Sequence, residues 1–175
     1  NTVLEITTFN SMDLMQLCGA IKNRYDDSTV MERPQEILVD VIGLGSGVVD
    51  RLAEQNLPVR GVNVAEAPST KKNYLNLRAE LWFAIKDWLA QRDCRLPNND
   101  ELASELAAPQ YKYTSSGKIK IESKDEMRKR GIKSPDKADA LALTMASSAA
   151  SFGGSQAFMG YNFKKPLKSR IFRVG

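Results

Sequence analysis

The chain has 175 residues, of which 42% are hydrophobic and 26% charged, so we expect one globular domain with a real core. It contains no histidine, which excludes Ser-His-Asp and Cys-His catalysis, argues against zinc, and leaves carboxylates, lysines and a hard ion such as Mg²⁺ or Mn²⁺. The net charge of +4 weakly favours an anionic partner.

The first half of the chain predicts alternating strands and helices. Thr2–Phe9 is rich in β-branched residues and predicts a strand, and the apolar spacing of "SMDLMQLCGAIKNRY" predicts a helix. The apolar run "EILVDVI" predicts a strand buried on both faces, interrupted by Asp40. A glycine turn, an amphipathic helix and a further strand follow. We therefore expect residues 37–41 and 59–64 to be parallel neighbours joined by a right-handed crossover.

The second half predicts three helices and a hairpin. "LRAELWFAIKDWLAQ" is amphipathic, a short helix opens at Asn98 or Asn99, and "QYKYTSSGKIKIES" predicts a β-hairpin. "SKDE" is a capping box for a short basic helix, and "KSPDKADALALT" starts a last helix that runs to about Ala149. The order of elements predicts an α/β domain over residues 1–150, a mixed sheet flanked by helices. Residues 151–175 predict a basic tail.

The glycine segment "GLGSG" is the first candidate for chemistry. Gly43, Gly45 and Gly47 do not have the G-x-G-x-x-G spacing, and the segment lacks the lysine of a P-loop. A close strand-to-helix turn is therefore favoured over a phosphate cradle. Asp40 ends the preceding strand, where ligands bind in open α/β sheets, although an aspartate there can equally cap the turn.

Asp136 and Asp139 form the second candidate, because residues three apart lie on one face of a helix. The helix dipole explains Asp136 in the first turn but explains Asp139 less well. The small apolar residues that continue this face predict packing on the sheet, which would bring Asp139 to the edge where Asp40 emerges. Such an acidic cluster, without histidine, suits a two-metal phosphoryl-transfer site whose ions lie roughly 3.5–4 Å apart.

The segment "ILVDVIGLGSGVVDRL" followed by "SPDKADALALT" resembles the C-terminal nuclease domain of the large terminase subunit of tailed bacteriophages. Those domains have an RNase H-like fold related to the RuvC resolvases, and the match covers about residues 37–146. The resemblance implies Mg²⁺- or Mn²⁺-dependent, largely sequence-tolerant endonuclease cleavage of concatemeric double-stranded DNA during genome packaging. It also implies a location in the host cell cytoplasm and an ATPase domain that precedes this one in the same polypeptide.

The resemblance also implies site residues. Asp40 matches the family's carboxylate before the glycine turn, and Asp139, with Asp136 close by, matches the carboxylates of the final helix. The family's first catalytic aspartate lies on an opening strand that would precede a strand like Thr2–Phe9. We expect that strand to lie before Asn1 in a longer polypeptide, so that this chain alone binds metal poorly.

Two basic clusters suggest partners. Lysines on and after the hairpin can follow a phosphate backbone, or equally protect its edge strands: Lys112, Lys118, Lys120 and Lys124. A cluster near the C-terminus suits an acidic partner surface: Lys164, Lys165, Lys168, Arg170 and Arg173. The resemblance implies the portal protein and the small terminase subunit as partners. No stretch has the roughly 18–20 apolar residues of a membrane span, so no membrane is expected.

Two alternatives remain open from the sequence. A RuvC-like junction resolvase would act on branched DNA. A non-catalytic RNase H-like module would bind DNA or a portal-type partner, with Asp40 as a turn residue and Asp136 as a helix cap.

Overall fold

A computed structural model of the chain describes residues 2–69, 73–92, 94–150 and 168–174. The strands are β1 Thr2–Phe9, β2 Ile37–Asp40, β3 Val59–Val62, β4 Tyr111–Tyr113, β5 Ile119–Ile121 and β6 Lys168–Val174. The helices are α1 Leu14–Asp26, α2 Gly45–Glu54, α3 Leu77–Ala90, α4 Asp100–Ala107, α5 Lys124–Lys129 and α6 Asp136–Ala150. The strands form three two-stranded sheets, β1 with β6, β2 with β3 and β4 with β5. The predicted mixed α/β class with an added hairpin is confirmed.

The chain divides into two compact units. The first unit is built from residues 1–6 and 65–171, and contains α3, α4, the hairpin, α5 and α6. The second unit is built from residues 7–64 and 172–175, and contains α1, β2, α2 and β3. Within the described residues, no helix is long and apolar enough to cross a membrane.

The second unit is a βαβ arrangement with α1 packed on α2. β2 and β3 are parallel as predicted, with Ile37 opposite Val59 and Asp40 opposite Val62. The expectation that β2 is buried on both faces was wrong, because all four of its residues are only partly buried. The core of this unit lies between the helices and the strands, and consists of Cys18, Ile21, Val48, Leu52 and Leu57.

The glycine turn between β2 and α2 depends on close backbone contact. A Cβ atom at Gly45, the first residue of α2, would lie 1.7 Å from the backbone oxygen of Asp40. A Cβ atom at Gly47 would lie 2.6 Å from Cδ1 of Leu14, and Gly43 has a φ of +75°. These contacts account for the three glycines as a tight strand-to-helix turn, which is the interpretation that the sequence favoured.

The first unit is organised around α6, which packs mainly against α3 and α4. Ala138, Leu141 and Ala142 are buried in this contact. Packing of the apolar face of α6 on the sheet stays a prediction. An apolar helical stripe specifies burial, but not whether a strand or another helix covers it.

Local signals set the start of several helices. Asn99 accepts a hydrogen bond from the backbone N–H of Leu102 at 2.8 Å and so caps α4, one of the two predicted starts. Ser123 and Glu126 form the predicted capping box of α5. Residues 151–167 of the predicted tail lie outside the described residues, whereas Lys168–Val174 is a strand that sequence periodicity did not predict.

Two glycine substitutions in the second unit test the turn. Gly45→Ala should lower the free energy of unfolding by about 2 kcal/mol or more, because the new methyl group overlaps the backbone of Asp40. Gly19→Ala is the matched control, because a Cβ atom there meets nothing within 4 Å. Since alanine favours a helix more than glycine does, this substitution in α1 should raise the free energy of unfolding by about 0.5–1 kcal/mol. Urea unfolding measures both values. Equal effects of the two substitutions would contradict this account of the turn.

Candidate functional site

Asp40 lies at the carboxyl end of β2, in the second unit. Its Oδ1 accepts a hydrogen bond from the backbone N–H of Ile42 at 3.1 Å, so the carboxylate caps the glycine turn. This is one of the two roles that the sequence allows for an aspartate at this position. A role of Asp40 in metal binding stays a prediction.

Asp139 lies in the first turn of α6, in the first unit, and is held by two side chains of α3. Its Oδ1 accepts hydrogen bonds from Nε1 of Trp82 at 2.8 Å and from Nε of Arg78 at 3.0 Å. The side chains of Arg78 and Asp139 are only 14% and 20% exposed. Burial of a carboxylate is costly unless it is paired, and these donors explain how α6 can carry one where it packs against α3.

Lys124, the first residue of α5, bridges the two aspartates of α6. Its Nζ lies 3.0 Å from Oδ1 of Asp136 and 3.4 Å from Oδ2 of Asp139. Burial alone would lower the pKa of Lys124, but the hydrogen bond to Asp136 and the charge of Asp139 raise that pKa above its usual range. Asp136 also accepts a hydrogen bond from the hydroxyl of Ser134. The predicted residues Asp136, Asp139 and Lys124 therefore meet in one place.

Arg78 and Trp82 are the residues of this site that sequence analysis missed. They belong to a segment that predicts an amphipathic helix, and nothing local marks their partner, which is 57 to 61 residues away. A weak signal exists, because the two residues are four apart and therefore share one face of α3. An arginine on the same face as a tryptophan indicates a buried or partly buried acidic partner.

The donor set fits a hard divalent cation. Asp136 and Asp139 offer carboxylate oxygens, the ligands that Mg²⁺ and Mn²⁺ prefer, and a cation already lies between them in the form of the Lys124 ammonium. Among the described residues, no group of three or more cysteine, aspartate or glutamate side chains could hold a metal ion. A metal site at Asp136 and Asp139 therefore needs a further ligand, and Asp40 as that ligand stays a prediction.

The hairpin lysines take part in ion pairs beside this site. Lys112 and Lys120 are directly opposite each other on β4 and β5, and both contact Glu126, at 3.0 and 3.5 Å. Lys118 lies at the hairpin turn, where its backbone N–H donates to the hydroxyl of Thr114 at 3.0 Å. The four lysines predicted to contact DNA are therefore grouped on the hairpin and α5. Contact with DNA stays a prediction.

The basic cluster near the C-terminus is only partly covered by the structure. Lys164 and Lys165 lie outside the described residues, and Lys168, Arg170 and Arg173 lie on β6. A partner surface formed by these residues stays a prediction.

The fold is that of nuclease domains of phage large terminase subunits. A scan against protein-family models finds no match, and a search of curated proteins finds none either. The likeness is in three dimensions, at sequence identities of 16–22%.

Three solved structures illustrate the likeness. One is a lysine-to-alanine variant of the nuclease domain of the large terminase subunit of bacterial virus Sf6, with manganese and β-thujaplicinol. It has a TM-score of 0.63 and 22% identity, over 77% of this chain and 73% of that chain. The nuclease domain of the same Sf6 subunit has a TM-score of 0.59 and 22% identity, over 75% of this chain and 70% of that chain. The large terminase nuclease of thermophilic phage G20c, with bound magnesium, has a TM-score of 0.57 and 17% identity, over 79% of this chain and 64% of that chain.

The ion pairs of Glu126 predict a pH dependence. Hydrogen bonds from the backbone of Ser123 and from Lys112 lower the pKa of Glu126 to about 2. Because the folded pKa lies below the unfolded one, this contribution to stability is full above about pH 4.5 and is lost as the pH falls towards 2. NMR titration of the Glu126 carboxyl carbon should give a midpoint near 2. In Glu126→Gln, which keeps the capping bond, unfolding should be less sensitive to pH in this window. A Glu126 midpoint near 4.5 would contradict the assigned contacts.

Proposed function

We propose that the chain is a metal-dependent endonuclease domain that cuts concatemeric double-stranded DNA during packaging of a bacteriophage genome. The observation that carries the proposal is the pair Asp136 and Asp139, bridged by the Lys124 ammonium, on a fold shared with terminase nuclease domains. A position that holds a lysine cation between two carboxylates has the charge that a divalent cation requires.

In this proposal Asp40, Asp136 and Asp139 hold Mg²⁺ or Mn²⁺ at a two-metal site. Such ions, when bound, would supply an activated water and would stabilise the leaving oxygen of the phosphodiester bond. In this proposal α3 orients Asp139, and the ammonium of Lys124 would move from the carboxylates to a phosphate oxygen of the DNA. Lys112, Lys118 and Lys120 add sequence-independent contacts to the DNA backbone.

The proposal extends to partners. By resemblance to terminases, the domain works in the host cell cytoplasm together with an ATPase domain of the same polypeptide, the portal protein and the small terminase subunit. The charged cluster Lys164, Lys165, Lys168, Arg170 and Arg173 is the candidate surface for the portal.

One observation favours the non-catalytic alternative. Asp40 caps a turn and Asp139 is ion-paired within its own unit, so each carboxylate has a structural role in the absence of metal. In a non-catalytic DNA-binding module, these structural roles would be sufficient to explain both carboxylates. The two proposals differ in what happens when either carboxylate is neutralised.

Plasmid nicking in Mn²⁺ separates the two functions. Asp40→Asn and Asp139→Asn should each lower the nicking rate at least about a hundredfold, because a metal-ligand carboxylate supports several kcal/mol of transition-state stabilisation. Asp125→Asn is the matched control, since Asp125 is 80% exposed and pairs with Arg128 on the surface of α5. The assay uses a longer polypeptide that includes the opening strand implied by the resemblance to terminases. Undiminished nicking by both site variants would contradict the proposed site, whereas a parent polypeptide that binds DNA but does not nick it would favour the non-catalytic module.

Replacement of Lys124 tests the competition between its ammonium and a metal ion. Lys124→Met keeps most of the side-chain volume and removes the cation, so Mn²⁺ should bind at least several-fold more tightly. Calorimetric titration without DNA measures this affinity, and Lys129→Met at the end of α5 is the control for a general loss of positive charge. Equal affinities for the two variants would mean that Lys124 does not occupy the metal position.

A further inference from the structure

We infer that Arg78 and Trp82 are positioning residues that fix the orientation of Asp139, so that Oδ2 alone faces the metal. This inference rests on the proposed function, because it concerns how Asp139 would be presented to a divalent ion. The inference gives α3 the role of orienting a metal ligand, and no residue of α3 was among the site residues predicted from the sequence.

The two oxygens of Asp139 have different surroundings. Oδ1 lies within 2.8 Å of Nε1 of Trp82, 3.0 Å of Nε of Arg78 and 3.0 Å of Nη2 of Arg78. Among the described residues, the contacts given for Oδ2 are longer, 3.4 Å to Nη2 of Arg78 and 3.4 Å to Nζ of Lys124. The acceptor capacity of Oδ1 is therefore used by short bonds from α3, whereas Oδ2 points towards a cation.

The donors to Oδ1 are held in place. Trp82 is buried, at 7% exposure, and the guanidinium of Arg78 lies over its ring at 5.7 Å. Nη1 of Arg78 also donates to the backbone oxygen of Glu122 at 2.7 Å, which ties it to the segment after β5. Glu122 is itself held by two short bonds from Arg130, at 2.7 and 2.6 Å. These contacts form one continuous chain from Arg130 to Asp139.

The partner of Oδ2 is by contrast replaceable. The side chain of Lys124 is 46% exposed, so its ammonium can reach water or a phosphate without leaving a buried pocket. A metal ion that takes its place would meet Oδ2 of Asp139 and the carboxylate of Asp136. Hydrogen-bonded partners of metal ligands fix ligand orientation, and their removal typically weakens metal binding about 10–100-fold.

A purely structural role for Arg78 and Trp82 would tie α3 to α6 without affecting metal binding. Both roles predict some loss of stability on substitution, so stability alone does not separate them. The separating quantity is the affinity for a divalent ion in variants that remain folded.

The test uses Mn²⁺ and Mg²⁺ on the same longer polypeptide as the nicking assay, because this chain alone is expected to bind metal poorly. Trp82→Phe keeps an aromatic ring but removes the donor to Oδ1, and Arg78→Lys keeps the charge but removes the planar fork. Each should weaken Mn²⁺ binding about tenfold, measured by calorimetry at a temperature where circular dichroism shows the variant folded. Trp88→Phe, a buried position on the same helix, is the matched control and should bind as the parent chain does.

A second readout comes from the parent chain, which has two tryptophans. The indole N–H resonance of Trp82 should shift on addition of Mg²⁺, whereas that of Trp88 should not, because Trp82 donates to the ligand carboxylate. Parent affinity in both Trp82→Phe and Arg78→Lys, or an unmoved Trp82 resonance in the metal-bound chain, would overturn the inference. Failure of the proposed function is distinct: there, Asp139→Asn itself would keep the parent affinity for Mn²⁺.

Discussion

The first unit depends on one constraint, the need to pair the half-buried carboxylate of Asp139. Asp139 lies at the start of α6, where α6 packs against α3, and its main partners Arg78 and Trp82 both belong to α3. Removal of one partner from a buried ion pair leaves an uncompensated charge, and the side chains of this pair are only 14% and 20% exposed. The same arginine reaches the backbone of Glu122, so the hairpin is joined to the two helices through one guanidinium.

Under the proposed function, this arrangement would let one set of bonds serve both stability and chemistry. The donors from α3 are largely buried and contact one oxygen of Asp139, while Lys124 is partly exposed and contacts the other. In the proposal, a metal ion would take the place of the Lys124 ammonium beside a carboxylate whose other oxygen is already held. In the second unit, Asp40 is positioned by the glycine turn instead. Gly45 allows α2 to start in close contact with the backbone of Asp40, and the carboxylate of Asp40 accepts a hydrogen bond from the turn.

Much of the fold could be predicted because its signals are local. The capping box of Ser123 and Glu126, the cap at Asn99 and the hairpin turn each depend on residues a few positions apart, and each is found where the sequence indicates. Sequence analysis did not predict that α6 packs against α3 and α4, nor did it predict the strand β6. Burial patterns show that a face is covered but do not identify what covers it, and β6 has no marked alternation.

The candidate site was predictable in part for the same reason. Asp136 and Asp139 are neighbours on one helix, so their spacing alone places them together. Arg78 and Trp82 come from a helix some 60 residues earlier, and only the folded chain shows that they contact Asp139. Sequence reasoning therefore finds the ligand residues of the proposed site but not the side chains that orient them.

The most direct test of this account is a crystal structure of the longer polypeptide of the nicking assay soaked in Mn²⁺, with anomalous scattering to locate the ion. The account predicts a manganese peak about 2.1 Å from Oδ2 of Asp139, with the Lys124 ammonium displaced and the bonds of Trp82 and Arg78 to Oδ1 retained. A structure in which Lys124 still bridges Asp136 and Asp139, with manganese bound only elsewhere, would contradict it.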